Sequence, residues 1–94
     1  LRHHWYKDNA RRRGFVFDIT LDLFKKIVSR NCYYCNDEGF GIDRVDNSKG
    51  YIEGNMVSCC KICNWMKSDK SSTDFIQKCK DISNKFNTLT SQTP

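Results

Sequence analysis

Two cysteine pairs constrain this chain more than any other feature. Cys32 and Cys35 enclose Tyr33 and Tyr34, Cys60 and Cys63 enclose Lys61 and Ile62, and 24 residues separate the pairs. Two intervening residues let both sulfurs of a pair face one ion, and two such knuckles complete a tetrahedral Zn²⁺ shell. Disulfides or scattered thiols would not require this doubled spacing, and a thioredoxin-like redox site would need only one such pair, opening a helix after a strand. The gap exceeds that of a simple zinc ribbon, so a folded excursion is expected between the knuckles. Cys59 could replace Cys60 as a ligand, but the spacing of Cys60 matches the first knuckle better. Cys79, on the apolar face of a predicted helix, reads as core.

A metal staple answers a need set by size. With 94 residues, 38% of them hydrophobic, the chain fits one domain with a thin core. Metal-ligating rather than disulfide-bonded cysteines favour a reducing, intracellular compartment, cytoplasm or nucleus. No apolar run approaches the roughly 18 residues of a membrane span, and no signal peptide is visible. The first residue is not Met, which leaves room for an upstream segment. Sixteen Lys and Arg against 11 Asp and Glu give a net charge of +5, a balance that suits a polyanionic partner.

Local patterns divide the chain into four stretches. Residues 1–31 are expected to hold a basic helix stopped by Gly14, with Trp5 packed inward, then a short strand in which Phe15, Phe17 and Ile19 alternate with Val16 and Asp18. A helix over 21–29 follows, capped by Thr20, with Asp22 in its first turn and Leu21, Phe24, Ile27 and Val28 inward. Residues 32–70 predict a two-stranded hairpin, Phe40–Val45 and Met56–Val57, around a long loop, then a helix starting near Cys60. Residues 71–87 predict a helix packed on this core, capped by Thr73, with Phe75, Ile76, Cys79, Ile82 and Phe86 on one face. Residues 88–94 read as a frayed tail.

The excursion between the knuckles runs Gly41-Ile-Asp-Arg-Val-Asp-Asn-Ser-Lys-Gly-Tyr51, then Asn55, and the second knuckle continues into Asn64-Trp-Met-Lys67. This order resembles the zinc-containing HNH (His-Me finger) endonucleases, phage-type members above all, in a layout similar to phage recombination endonuclease VII. The resemblance is tight over residues 32–67 and implies an α+β fold: a small ββα-metal domain with a four-cysteine zinc site, flanked by helices. It implies hydrolysis of phosphodiester bonds in DNA, with Mg²⁺ or Mn²⁺ held by Asp43 and Asn64 and the loop tethered by Asn55. An oxygen-ligated hard cation suits that chemistry, because it can contact a phosphate oxygen and the leaving oxygen. It further implies DNA, duplex or branched, as partner, RNA as a second polyanion, a dimer as one arrangement, and a phage or viral origin.

One position departs from the pattern. The family places its general base, a His, directly after the Asp, where this chain has Arg44. A guanidinium with a pKa above about 12 takes no proton from water at neutral pH, but it can grip a phosphate. Asp46, His3 and His4 are substitute bases, against which Asp46 reads equally as turn chemistry and the histidines as surface. Arg2, Lys7, Arg11, Arg12 and Arg13 form the densest positive stretch and, with Arg44 and Lys67, are the candidate nucleic-acid contacts. Two alternatives to a nuclease stay open: a zinc-stapled nucleic-acid-binding module without cutting activity, and a zinc-bound structural or adaptor part of a larger assembly.

Overall fold

The structure, a computed structural model, describes residues 2–91, with side chains through residue 87. Six elements follow in order: α1 (Arg2–Arg12), α2 (Leu21–Val28), β1 (Gly41–Arg44), β2 (Met56–Cys59), α3 (Lys61–Lys67) and α4 (Ser72–Ser91). The strands pair antiparallel, with Gly41 opposite Cys59 and Arg44 opposite Met56, and α3 follows directly. This is the expected α+β arrangement, a ββα unit flanked by helices.

Capping chemistry sets most boundaries. Thr20 accepts from the amide of Leu23 at 3.1 Å and starts α2. Gly14, at φ 76°, takes the left-handed conformation just beyond α1. Cys60 caps α3 through its sulfur, which accepts from the Cys63 amide at 3.3 Å. At α4 the cap is Ser71 rather than Thr73: its hydroxyl accepts from the Asp74 amide at 3.1 Å. Serine and threonine are both favoured caps, so composition alone does not choose between neighbours.

The core has two parts. Tyr6, Ala10, Ile19, Phe24, Ile27, Ile42, Tyr51 and Met56 form one cluster, and Cys32, Cys59, Cys60 and Cys63 form the other with Tyr34 beside them. Tyr6, not Trp5, is the inward aromatic of α1, while Trp5 stays exposed. The phenol of Tyr6 lies against Gly41, where a Cβ would sit 2.2 Å from its oxygen. Leu21 is also exposed, so the inward face of α2 is carried by Phe24 and Ile27.

Phe15–Ile19 is not a strand. A single parallel bridge joins Phe17 to Tyr51, held by the Tyr51 amide on the Val16 carbonyl (2.7 Å) and the Asp18 amide on the Tyr51 carbonyl (3.0 Å). Gly50 permits this approach, since a Cβ there would meet the Val16 carbonyl at 2.5 Å. The alternating pattern thus marks an extended segment with one bonded partner. In α4 only the first turns pack inward, through Phe75; Ile82 and Phe86 are exposed. The helix extends to Ser91 and runs beyond the body of the domain, giving it a long dimension of 54 Å against 25 and 20 Å.

Candidate metal centre and nucleic-acid face

The first knuckle is shaped by backbone bonds. The Cys32 amide donates to the Asp37 carbonyl (2.6 Å), the Asn36 amide returns to the Cys32 carbonyl (2.9 Å), and Asn36 sits at φ 68°. The Tyr33 amide on the Ser58 carbonyl (2.9 Å) ties this loop to β2, which delivers the second knuckle at its end. The sulfurs of Cys32, Cys35, Cys60 and Cys63 consequently all lie within 4.8 Å of one another, with Cys35 and Cys60 at 3.6 Å. Metal–sulfur bonds of about 2.3 Å in a tetrahedron space sulfurs about 3.8 Å apart, so these four residues fit a thiophilic ion.

Protonation follows the surroundings. Burial pushes the Cys32 thiol up, but bonds from the Cys60, Cys35 and Tyr34 backbone outweigh it and hold the group at about 6. Thiolate is the form that binds metal. Cys59 lies outside the four-sulfur group, fully buried, and burial followed by the nearby Asp43 charge pushes its thiol up. It is an inert neighbour of the site. Cys79 lines an apolar groove of about 560 Å³ between α3 and α4, with Ile62, Met66 and Ile76.

Asp43 and Asn64, the expected ligands of a divalent ion, have different partners. Asp43 is 6% exposed; one carboxylate oxygen accepts from the Lys67 ammonium at 3.0 Å and the other from the Tyr34 hydroxyl at 2.6 Å. Lys67, 1% exposed, also donates to the Arg44 carbonyl at 3.1 Å. Tyr34 meets Ser72 as well; burial and then its bond to Asp43 raise its pKa, which keeps it a donor. Asn64 directs its amide toward the Tyr6 hydroxyl (3.4 Å), which also accepts from the Ile42 amide (3.3 Å). A hard divalent ion needs several open oxygens. Here the carboxylate is neutralised by an internal ammonium instead, so the residues as arranged do not fit a Mg²⁺ or Mn²⁺ ion.

Lys67 is therefore not a nucleic-acid contact. It lies on the face of α3 that packs on β1, and a buried ammonium is stable there only because it is paired. Arg44 is likewise buried and engaged from within. Its Nη1 donates to the carbonyls of Asn47 (2.9 Å) and Lys49 (2.7 Å), and its guanidinium lies 3.9 Å from the Phe15 ring centroid and 5.5 Å from that of Tyr51. It clamps the loop between the strands from inside.

Asn55 braces the same loop. Its oxygen accepts from the Asp46 amide (2.8 Å) and its nitrogen donates to the Asp46 and Gly50 carbonyls (3.1 and 3.0 Å). Asp46 forms a turn, accepting from the Ser48 amide (2.9 Å) and hydroxyl (2.6 Å); the hydroxyl and then the amide bond hold its carboxyl below the usual value. His3 donates to the Ile19 carbonyl (3.2 Å) and packs edge-on against Phe17 and Phe24, and His4 pairs with Asp8 on the surface. None of these bonds joins a substitute base to Asp43.

The exposed cations lie elsewhere. Arg2, Lys7, Arg11, Arg12 and Arg13 are all solvent-facing, and Lys7 and Arg11 line a hollow of about 170 Å³ with Phe15 and Phe17. Tyr34, Ser72 and Tyr6 escaped sequence reasoning. The spacing of Tyr6 and Ala10, one helical turn apart, was the available signal for the inward face of α1. Tyr34 and Ser72 carried no such signal, because their bonds lie beyond local spacing, Tyr34 to Asp43 across the knuckle and Ser72 to Tyr34 from the start of α4.

No family model matches the chain. An uncharacterized protein of Acanthamoeba polyphaga mimivirus is 41% identical over 85 residues, 86% of this chain and 16% of that protein. An uncharacterized 29.0 kDa protein from the dda-modA intergenic region of Enterobacteria phage T4 is 29% identical over 79 residues, 74% of this chain and 32% of that protein. The chain thus spans less than a third of either viral relative. Among solved structures, the rare-cutting HNH restriction endonuclease PacI superposes with a TM-score of 0.63 over 92% of this chain and 77% of its own, at 23% identity. The paired strands, the helix that follows them and the four-cysteine cluster accordingly sit in the fold of an HNH endonuclease.

Proposed function

We propose that this chain is a zinc-stapled DNA-binding domain built on the HNH endonuclease fold, one that holds DNA without cutting it. Zn²⁺ occupies Cys32, Cys35, Cys60 and Cys63. Arg2, Lys7, Arg11, Arg12 and Arg13 meet the phosphates. The observation that carries the non-cutting part is the buried Asp43–Lys67 pair, because the carboxylate that this fold would use for a divalent ion already has its cation.

Binding is tested by fluorescence anisotropy on duplex DNA across a salt series. Changing Arg11, Arg12 and Arg13 to Ala should weaken binding by a similar factor on every sequence and flatten the salt slope by roughly 2–3 units, at about 0.9 per lost phosphate contact. A triple variant that binds like the parent at every salt concentration would make the patch a bystander.

A second reading, metal-dependent phosphodiester hydrolysis, is favoured by the superposition on a restriction endonuclease together with Asp43, Asn55 and Asn64 in motif order. Supercoiled-plasmid relaxation with Mg²⁺ or Mn²⁺ decides between the two. The binding reading expects no nicking by the natural sequence or by Arg44→His. Nicking that disappears in Asp43→Ala would show that Lys67 yields its place to a metal, and would establish the nuclease.

A further inference from the structure

Trp65 stands 84% exposed on α3, one residue beyond Asn64. Isolated exposed apolar residues are ordinary on a protein surface, but this ring has unusual company. Lys61, Asn64, Trp65 and Ser68 recur at i, i+3, i+4 and i+7 and line one side of α3 and its end. With Phe40 they enclose an open hollow of about 300 Å³. Phe40, half-buried, carries two cations: the Arg2 guanidinium lies 4.1 Å from its ring centroid and the Lys61 ammonium 5.0 Å. The hollow therefore combines a free indole face, a fixed phenyl ring, a side-chain amide and two positive charges.

We infer that this hollow is a subsite for an unstacked nucleobase, with Trp65 as its stacking platform and Lys61 and Arg2 holding the flanking phosphates. The inference rests on the DNA-binding reading above and specifies where an unpaired base would lodge. Every base presents a π-face to an aromatic ring, so the platform needs no particular sequence. The Asn64 amide and Ser68 hydroxyl supply polar groups at the edge of the hollow, where a base has its own donors and acceptors. Charge complementarity selects this occupant over an apolar peptide: the cations that flank the rings suit phosphates and would be left unpaired by an apolar partner.

The test compares a fully paired duplex with the same duplex carrying a two-thymine bulge, by anisotropy. The parent should prefer the bulged probe. Trp65→Ala should erase that preference, lowering bulged-probe affinity roughly 5- to 100-fold, as expected for loss of one base–aromatic stack, while Trp65→Phe retains most of it. Lys61→Ala should reduce the salt slope by about one unit. In a Trp5→Phe background, where Trp65 is the sole indole, the bulged probe should quench fluorescence. So exposed a side chain is dispensable for folding, and equal melting temperatures for parent and Trp65→Ala will verify this. A parent without bulge preference, or a Trp65→Ala variant that keeps it, overturns the subsite while leaving duplex binding intact. If the parent binds neither probe, the DNA-binding reading falls, and this inference falls with it.

Discussion

Arg44→Met is the change that best separates a catalytic or phosphate-gripping arginine from a structural one. Methionine preserves the apolar stem against Phe15 and Tyr51 and removes the guanidinium. What is lost is two donations from Nη1, to the carbonyls of Asn47 and Lys49, and the ring contact at 3.9 Å. A hydrogen bond from a charged group contributes about 1.5–3 kcal/mol, and the lower end applies here because the acceptor loop is partly exposed and water can replace one partner. A cation over an aromatic face adds about 0.5–2 kcal/mol. Allowing for non-additivity within one side chain, the total loss is about 3–4 kcal/mol. For a domain of this length each kcal/mol shifts Tm by about 4–8 °C, so melting of the zinc-loaded protein, followed by circular dichroism, should fall by roughly 12–32 °C. Arg44→Lys should lie between, since an ammonium keeps the charge but not the planar fork. Below the melting transition, duplex affinity of Arg44→Met should match the parent. A Tm within about 4 °C of the parent, the equivalent of less than 1 kcal/mol, combined with a drop in DNA affinity, would refute the loop clamp and restore Arg44 as a phosphate contact.

Removing zinc should unfold the domain, because three of the four cysteines, Cys32, Cys60 and Cys63, belong to one of its two core clusters; metal analysis should return one zinc per chain, and chelation that leaves circular dichroism unchanged would count against the site. Lys67→Met strands Asp43 in the core without its cation and should cost about 3–5 kcal/mol by denaturant unfolding, whereas a lysine that served only DNA would leave stability unchanged. Ser48→Ala removes the hydroxyl bond that depresses the Asp46 carboxyl most, so its titration, followed by NMR, should move up toward the ordinary value of about 3.9. The sign for stability follows: a depressed carboxyl favours the folded state above its unfolded pKa, and that contribution fades as pH falls through the folded value. It should be smaller in Ser48→Ala, and an unchanged Asp46 titration in that variant would refute the assignment.

What could be read from the sequence was what is local. Cysteine spacing located the four-sulfur group, Thr20 with Asp22 located α2, and two apolar pieces located the hairpin to within a residue or two. Each depends on neighbours within one turn or one knuckle. The misplacements share the opposite property. Trp5 looked like the core aromatic of α1 on size alone, but Gly41 leaves its room opposite Tyr6. The pattern of Phe15, Phe17 and Ile19 fits a strand, yet a strand needs a ladder, and Gly50–Tyr51 offers one bridge. The face of α4 continues to Phe86 in sequence, while the body of the domain ends near Phe75. Periodicity states which residues could share a face and leaves open whether anything covers it.

The charged residues carry the same lesson into function. Lys67 and Arg44 sit in the motif most suggestive of nuclease chemistry, and as letters they are indistinguishable from Arg11 or Lys61. Their roles are divided by burial. A cation that reaches solvent can release counterions from a phosphate backbone and adds affinity. A cation with almost no exposed surface must be compensated internally, and each of these two is: Lys67 by Asp43, Arg44 by two carbonyls and two rings. Internal compensation in turn fixes what Asp43 can do, since an oxygen already accepting from an ammonium at 3.0 Å is a poorer ligand for a hard ion than one facing water. The motif's charges have turned inward to hold β1, its loop and α3 together. Under the DNA-binding proposal, the charges that would meet phosphates lie on α1 and on the outer side of α3, around Trp65.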